Sequence, residues 1–293
     1  MQFNSLLALV GLDPQNVAIM LHTPVLADEK HVLMALVEDM PDLFEAYQDN
    51  HPANPEATLK RRPVAASFVV GDNSEARFVG LYSVAGWHDC LARELDADPR
   101  RKLIMDRFRG SSFSDLAIRT GRDGRAIFDL RLRPELSELK GRLLVHRPQG
   151  RAYMRLAENT SLEILEIARE AHFAPPAPNW DSFIVSGVEL RLLPIAWAAR
   201  LREWRGIYLI VDQTDGARYV GSAYGEINLL GRWAAHVARE VGVTVELARR
   251  DPARFRFSIL ELVAPNSSMG DVLDLEVSWK RRLDTQQWGL NRN

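Results

Sequence analysis

The sequence predicts an α+β protein, because strand-like runs bounded by turn residues alternate with segments of helical periodicity in both halves of the chain. The strand-like runs are rich in Val, Ile, Phe and Tyr and end at Gly, Asp or Asn. Between the halves, residues 173–179 hold three prolines within four positions, which blocks regular structure. We therefore expect an N-terminal α+β domain over residues 1–171, a proline-rich linker over 172–179 and a C-terminal domain over 180–293.

Helices are predicted in three parts of the N-terminal domain. Apolar and aromatic residues recur at three- and four-residue steps from His31 to Tyr47, and Pro41 divides this run into two helices. A further helix is expected to start at Asp98-Pro99 and run through Asp106. A last one is expected from Ser161 to Arg169, where the apolar spacing is partly helical.

Strands fill the middle of the same domain. The runs Val64 to Val70 and Ala76 to Val84, joined by a Gly-Asp-Asn turn, predict a hairpin, and more strands are expected at 126–131 and 142–146. The stretch from Phe78 to Val84 resembles a strand of small β-barrels of the PUA-like kind. A β-barrel within this α+β domain is therefore one architecture that the resemblance implies. Two roles stay open for it: a basic groove would indicate DNA recognition, and a closed apolar pocket would indicate a ligand sensor.

The C-terminal domain carries a hairpin with two tyrosines. Gly206 to Val211 predicts one strand, Asp212 to Gly216 a turn, and Ala217 to Val220 a second strand, so that Tyr208 and Tyr219 converge on one polar surface. Gly221 is suited to a close backbone approach or a positive φ.

Two helices follow the hairpin. Arg232 and His236 stand four residues apart in a helix predicted over Asn228 to Glu240, and therefore share a face. A second, amphipathic helix is expected from Val272 to Lys280, and it carries Glu276.

The order of these polar residues resembles that of the GIY-YIG nucleases over residues 204–293. The resemblance rests on the Gly-Ile-Tyr and Tyr-Val-Gly tripeptides and on the series Tyr208, Tyr219, Arg232, Glu276 and Asn291. It implies a small mixed sheet flanked by helices and a phosphodiester hydrolase. In this interpretation Glu276 binds Mg²⁺, for which Mn²⁺ can substitute, and Arg232 holds the scissile phosphate.

The resemblance also implies that Tyr208 is the general base, with Tyr219 either orienting the attacking water or stabilising the phenolate of Tyr208. An unperturbed tyrosine has a pKa of about 10, so this role needs positive charge from Arg232, the metal or a protonated His236, and activity is expected to rise at mildly alkaline pH. His236 either assists catalysis or is a partly exposed residue that contacts phosphate. Asn291 is expected to tie the C-terminal segment to the active site.

Two alternatives remain at this stage. Glu276 could be an ordinary surface carboxylate paired with Lys280 at the i+4 position. The whole domain could also be a catalytically silent or ligand-gated nucleic-acid-binding protein of the same fold.

Charge and composition limit the partners. The net charge of −2 means that DNA contact needs a local patch, for which Arg218, Arg232 and Lys280 are the chosen residues. Cys90 is the single cysteine, which excludes an intramolecular disulfide and a four-cysteine zinc site. The sequence lacks a secretory signal and an apolar run of the roughly 20 residues that span a bilayer, so we expect a cytoplasmic protein without membrane contact.

Together these features predict a Mg²⁺-dependent DNA endonuclease whose N-terminal domain selects the target. Duplex DNA is the preferred substrate, and a homodimer is one way to cut both strands. Restriction or phage defence suits this pairing of domains, while repair and mobile-element roles stay open.

Overall fold

The chain of the computed structural model divides into two compact units, Met1–Pro175 (unit 1) and Pro176–Asn293 (unit 2). The structure describes residues 1–24, 27–71, 74–108, 111–150, 152–171, 173, 177–224, 228–240 and 244–292, without the side chains of 27–31 and 107. The division falls inside the segment predicted as a linker, of which only 173 and 177–179 are described. Residues 72 and 73 of the expected Gly-Asp-Asn turn also lie outside the described residues.

Unit 1 is built on a seven-stranded sheet. Its strands are β1 (Val17–His22), β2 (Val64–Val70), β3 (Glu75–Leu91), β4 (Gly124–Leu132), β5 (Leu143–His146), β6 (Met154–Leu156) and β7 (Ile164–Ile167). The hydrogen-bonded order is β6-β1-β2-β3-β5-β7, with β4 paired to β3. β1 and β2 are parallel, and the other pairs are antiparallel. Within the described residues this pairing is an open path and not a closed ring.

Seven helices of the described residues complete unit 1. They are α1 (Phe3–Leu9), α2 (Ala27–Asp39), α3 (Pro41–Gln48), α4 (Ala53–Leu59), α5 (Ala92–Ala97), α6 (Pro99–Arg107) and α7 (Phe113–Thr120). Pro41 occupies the first turn of α3, where its missing N–H costs nothing, so the predicted break between two helices is confirmed.

The core of unit 1 explains why its central strands read as continuous apolar runs. Every residue of β1 and of β2 is buried, because both faces of these inner strands are covered. Phe3 of α1 packs edge to face on Phe68, with ring centroids 5.1 Å apart. The predicted hairpin of β2 and β3 is confirmed, and β3 runs on to Leu91 because its second half pairs with β4.

One prediction for unit 1 is wrong. The helix expected from Ser161 to Arg169 is replaced by β7, which pairs with β5 so that Leu143 lies opposite Ile167. Leu165 and Ile167 stay largely exposed on this edge strand. The partly helical spacing of the apolar residues was therefore outweighed by pairing with a distant strand and by β-branched isoleucines, which favour strands.

Unit 2 is a four-stranded antiparallel sheet with helices on both faces. The strands are β8 (Ile184–Ser186), β9 (Gly206–Asp212), β10 (Arg218–Ala223) and β11 (Phe255–Leu262), in the order β10-β9-β11-β8. The helices are α8 (Ile195–Glu203), α9 (Asn228–Ala238), α10 (Val245–Ala248) and α11 (Met269–Arg282). The α+β class is thus confirmed, as are the tyrosine hairpin and the two helices predicted after it.

The two faces of this sheet bury different side chains. Tyr208 and Phe257 point to the face on which Trp233 of α9 packs. Ile207 and Val220 point to the opposite face, where they meet Val272 of α11. Among the described residues, every helix falls short of the length and apolar character that a membrane span needs.

Candidate active site

The hairpin of β9 and β10 puts both tyrosines on one face of the sheet. Tyr208 lies opposite Gly221 and Tyr219 lies opposite Ile210, so the two rings are diagonal neighbours with centroids 6.4 Å apart. Tyr208 is 0% exposed and Tyr219 is 6% exposed. The two phenols converge as expected, but they lie in a buried cluster and not on the surface, because α9 and its Trp233 cover this face of the sheet.

Gly221 is what lets the Tyr208 ring lie over β10. A Cβ at this position would stand 2.5 Å from the phenolic oxygen of Tyr208 and 2.8 Å from the ring of Tyr219. With a side chain at position 221, either the backbone of β10 or the tyrosine rings would have to move. Of the two reasons expected for this glycine, the close approach is the one that the structure bears out.

Residues of α9 complete a polar cluster around the phenols. The hydroxyl of Tyr208 and Nε2 of His236 are hydrogen-bonded at 2.7 Å, and the His236 ring lies 5.6 Å from that of Tyr219. His236 is buried, so it is not the partly exposed phosphate contact considered from the sequence. Arg232, one turn earlier on the same face, is half-buried and within hydrogen-bonding reach of both phenols.

Burial sets the protonation of this cluster. Burial first, and the positive charge of Arg232 second, lower the pKa of the His236 imidazole to about 3, so His236 is neutral at neutral pH. Burial also raises the pKa of the Tyr208 phenol well above its ordinary value, with the neighbouring Tyr219 adding to the rise and Arg232 opposing it. A protonated His236 therefore does not supply the positive charge that a phenolate base was expected to need.

Glu276 forms a second cluster, on α11. Its Oε1 forms an ion pair with Nζ of Lys280, which lies one turn further along the helix; the two atoms are 2.7 Å apart. Its Oε2 accepts a hydrogen bond from the hydroxyl of Ser222 on β10. The i+4 pair weighed from the sequence is therefore present, but it is not an exposed surface pair, since the two side chains are only 14% and 7% exposed.

The two clusters approach β10 from opposite sides. Side chains alternate along a strand, so Tyr219 and Gly221 face α9 while Val220 and Ser222 face α11. β10 is the edge strand of the sheet. The negative charge of Glu276 still raises the pKa of both phenols across this strand. Ser222 was missed from the sequence, although its position in the β10 alternation places it on the side of α11.

Asn291 closes the free edge of β10. Its Oδ1 accepts a hydrogen bond of 2.9 Å from the Val220 amide, and its Nδ2 donates one of 2.8 Å to the Val220 carbonyl. Beside it, the Leu290 amide donates to the Arg218 carbonyl at 2.8 Å. The C-terminal segment thus hydrogen-bonds to the edge strand through the Asn291 side chain and the Leu290 amide.

The three basic residues chosen for DNA contact differ in exposure. Arg218 is exposed on β10, and Arg232 is half-buried beside the phenols. Lys280 is 6% exposed and engaged with Glu276. Arg218 is therefore the residue of the three whose charge faces solvent fully, while Arg232 and Lys280 are partly or largely buried.

The donor set around Glu276 suits a hydrated hard cation. Groups of three or more His, Cys, Asp or Glu that could hold a metal do not occur among the described residues. Magnesium, however, is commonly bound by one or two carboxylates and keeps several waters. The Glu276 carboxylate and the Ser222 oxygen meet that need, and the ammonium of Lys280 now lies where a dication would be attracted.

No family model and no curated protein matches this chain. Among solved structures it is similar to a mutant of the catalytic domain of intron endonuclease I-TevI, at 24% sequence identity over 31% of this chain and 94% of that chain, with a TM-score of 0.27. It is also similar to the catalytic domain of homing endonuclease I-TevI, at 25% identity over 30% of this chain and 96% of that chain, with a TM-score of 0.25. With TM-scores this low, a function has to be argued from the side chains of the chain itself.

Proposed function

We propose that unit 2 is a GIY-YIG nuclease domain that hydrolyses phosphodiester bonds of DNA with a bound magnesium ion. The hydrogen bond of 2.7 Å between Tyr208 and the neutral His236 is the observation that carries this assignment. It joins a phenol to a proton acceptor in a buried setting, with the Arg232 guanidinium beside both. Phosphodiester cleavage needs a proton acceptor and a phosphate-binding cation in close proximity.

The chemistry then follows from these groups. A water molecule attacks phosphorus while its proton passes to the oxygen of Tyr208, whose own proton passes to Nε2 of His236. The bond from phosphorus to the leaving deoxyribose oxygen breaks, and that oxygen takes up a proton from solvent. Arg232 holds the phosphate in a planar fork, and the negative charge of the phosphate raises the pKa of His236, so that this ring accepts a proton more readily than in the free protein.

Glu276, supported by Ser222, would hold the magnesium ion. When bound, the ion would stabilise the negative charge that develops on the phosphate and on its leaving group. Manganese can substitute for magnesium in a site of oxygen ligands. Arg218 would contact the DNA backbone outside the site, and Lys280 would be released toward phosphate once a cation pairs with Glu276. Asn291 supports the reaction indirectly, by fixing the edge strand between the two clusters.

The biological setting that we propose is restriction or phage defence in the cytoplasm, with unit 1 selecting the target in duplex DNA. A nuclease domain of 118 residues has little surface for reading a sequence, so a second unit of larger size supports this division of labour. A homodimer would supply a second active site for the second strand.

The test is cleavage of supercoiled plasmid, linear duplex and single-stranded DNA, each in unmodified and base-modified form, with Mg²⁺ or with EDTA. Glu276→Ala should abolish cleavage and retain DNA binding. Asp274→Ala is the matched control, because it removes an exposed carboxylate from the same helix and should cut like the wild type. Cutting that persists in EDTA and in Glu276→Ala would contradict the proposal.

A gated or silent nucleic-acid-binding protein is the second candidate. Two observations favour it: the hydroxyl of Tyr208 is sealed from solvent, and Glu276 already has a cation partner in Lys280. Both indicate a closed resting site that must open before water and metal enter. Binding of every DNA without any cutting would support this candidate against the constitutive nuclease.

A further inference from the structure

Unit 1 contains a cavity of about 470 Å³ that the nuclease chemistry does not use. It is lined by His22, Tyr47, Asn50, His51, Arg147 and Tyr153. These residues come from the end of β1, from the end of α3 and the residues after it, and from the segments that flank β5 and β6. Its volume is in the range of pockets that hold small molecules or single residues of a polymer.

The walls of this cavity are aromatic. The rings of His22 and Tyr47 have centroids 5.3 Å apart, and those of His51 and Tyr153 are 6.0 Å apart. His22 also packs edge to face on Phe44, and His51 packs on Phe128, so both imidazoles are held by neighbours. A cavity of ring faces favours a flat, aromatic ligand, since such a ligand gains stacking contacts on its sides.

Two polar atoms behind these walls lack partners. Nε2 of His22 and Nε2 of His51 are buried and without a hydrogen bond among the described residues. The residues are 5% and 2% exposed. His51 is oriented by its other nitrogen, Nδ1, which is 3.0 Å from the hydroxyl of Tyr153.

The charged and polar groups of the lining also indicate which ligand the cavity binds. Burial lowers the pKa of His22 to about 4 and that of His51 to about 3, so both are neutral at physiological pH and can each donate or accept. Asn50 adds an amide with both kinds of group. Arg147, half-buried, supplies positive charge to a lining that is otherwise uncharged. A neutral heterocycle that carries one anionic group matches this distribution.

We propose that the cavity of unit 1 binds a nucleotide, with the base between the histidine and tyrosine rings and the phosphate on Arg147. The edge of the base meets the amide of Asn50. The bound nucleotide can be a free mononucleotide or part of a DNA strand, since both present the same base and phosphate groups. Neither depends on cleavage by unit 2.

The experiment is calorimetric titration of the full chain in EDTA, which keeps magnesium-dependent cutting out of the measurement. One arm uses the four deoxynucleoside and four ribonucleoside monophosphates. The other uses short single strands of dA, dC, dG or dT and a matched strand of abasic sites, because a single strand offers its bases without breaking pairs. The variants are Arg147→Ala and His51→Phe, and Arg131→Ala is the control, since Arg131 is 71% exposed on the same unit.

We expect one nucleotide per chain, with a dissociation constant at least tenfold weaker in Arg147→Ala and in His51→Phe and unchanged in Arg131→Ala. Binding of monophosphates supports the free nucleotide as the ligand. Binding of strands alone, lost on the abasic strand, supports a base held within DNA. The proposal is overturned if neither arm binds, if both pocket variants bind like the wild type, or if the abasic strand binds as well as the others. Because cleavage is not measured, these outcomes are independent of the nuclease assay.

Discussion

At the residue scale, the site combines groups that are each held in an uncharged or paired state. Tyr208 and His236 share one hydrogen bond, and burial keeps the phenol protonated and the imidazole neutral. Glu276 is ion-paired with Lys280. In the proposed nuclease such a site is at rest, and the charge that drives its chemistry would arrive with phosphate and metal.

Replacing Tyr208 by Phe tests the proton acceptor. We expect the cleavage rate to fall by about 10²–10⁴-fold, the usual contribution of a positioned acid or base. Single-turnover rates at saturating DNA measure this, with Tyr224→Phe as the control, because Tyr224 is half-buried on the same hairpin and outside the cluster. A wild-type rate in Tyr208→Phe would assign proton transfer to another group.

The pH dependence of the same cleavage rate distinguishes two kinds of proton acceptor. One is the neutral Tyr208–His236 pair, and the other is an anionic base. The pKa of His236 is lowered to about 3 and that of Tyr208 is raised, so the neutral pair does not titrate between pH 5.5 and 8.5. A rate that is flat over this window is expected for the pair, in place of the alkaline rise expected from the sequence. A tenfold rise per pH unit would instead identify a phenolate or a metal-bound hydroxide as the base.

In the proposed nuclease, Lys280 and the metal would compete for Glu276. Lys280→Met keeps the length of the side chain but removes the charge that now neutralises Glu276. We expect Mg²⁺ to bind about tenfold more tightly, a difference of about 1.4 kcal/mol, because the ion no longer displaces an ammonium. Titration of DNA-free protein with Mg²⁺ measures it, and Lys280→Arg, which keeps the charge, should bind like the wild type. Weaker binding in Lys280→Met would mean that Lys280 positions the carboxylate instead.

At the element scale, local sequence patterns are enough to predict the hairpin and its helices. They do not predict the contacts between segments that are distant in the sequence. The turn after β9 and the periodicity of α9 and α11 are properties of neighbouring residues, so the sequence predicted them. The bond from Ser222 to Glu276 joins residues 54 positions apart and depends on how α11 crosses the sheet. The sealing of Tyr208 likewise depends on packing by α9, and β7 was mistaken for a helix because its partner strand is not a neighbour in sequence.

The pairing of the C-terminal segment with β10 is the least local of these contacts, and it can be tested by Asn291→Ala. The variant leaves the amide and carbonyl of the buried Val220 without partners, so unit 2 should lose about 2–4 kcal/mol of stability. Hydrogen exchange at the Val220 amide should accelerate, and urea unfolding should shift to lower concentration. Arg292→Ala, an exposed neighbour, is the control. Unchanged exchange at Val220 would show that the segment does not protect the edge strand.

At the scale of the whole molecule, each unit buries histidine in a neutral form, and this links its stability to pH. Unit 1 contains His22 and His51, and unit 2 contains His236, with pKa values lowered by burial to about 4, about 3 and about 3 from 6.5. Between those values and 6.5 the unfolded chain binds more protons than the folded one. Folding is therefore favoured above pH 6.5 and loses stability as the pH falls.

The expected loss for unit 2 approaches 1.4 kcal/mol per pH unit between pH 6 and 4.5, the limit for one histidine that stays neutral in the fold. Tryptophan fluorescence follows this unit, because it holds six of the seven tryptophans. His236→Gln should flatten the dependence of its unfolding free energy on pH, whereas His22→Gln, in unit 1, and His88→Gln, at an exposed position, should leave it unchanged. The carboxylates of ordinary pKa titrate mostly below this window, so they do not imitate the effect. A slope that is the same in wild type and His236→Gln would mean that His236 can take up a proton without leaving the fold, and the closed, neutral cluster around Tyr208 would then have to be abandoned.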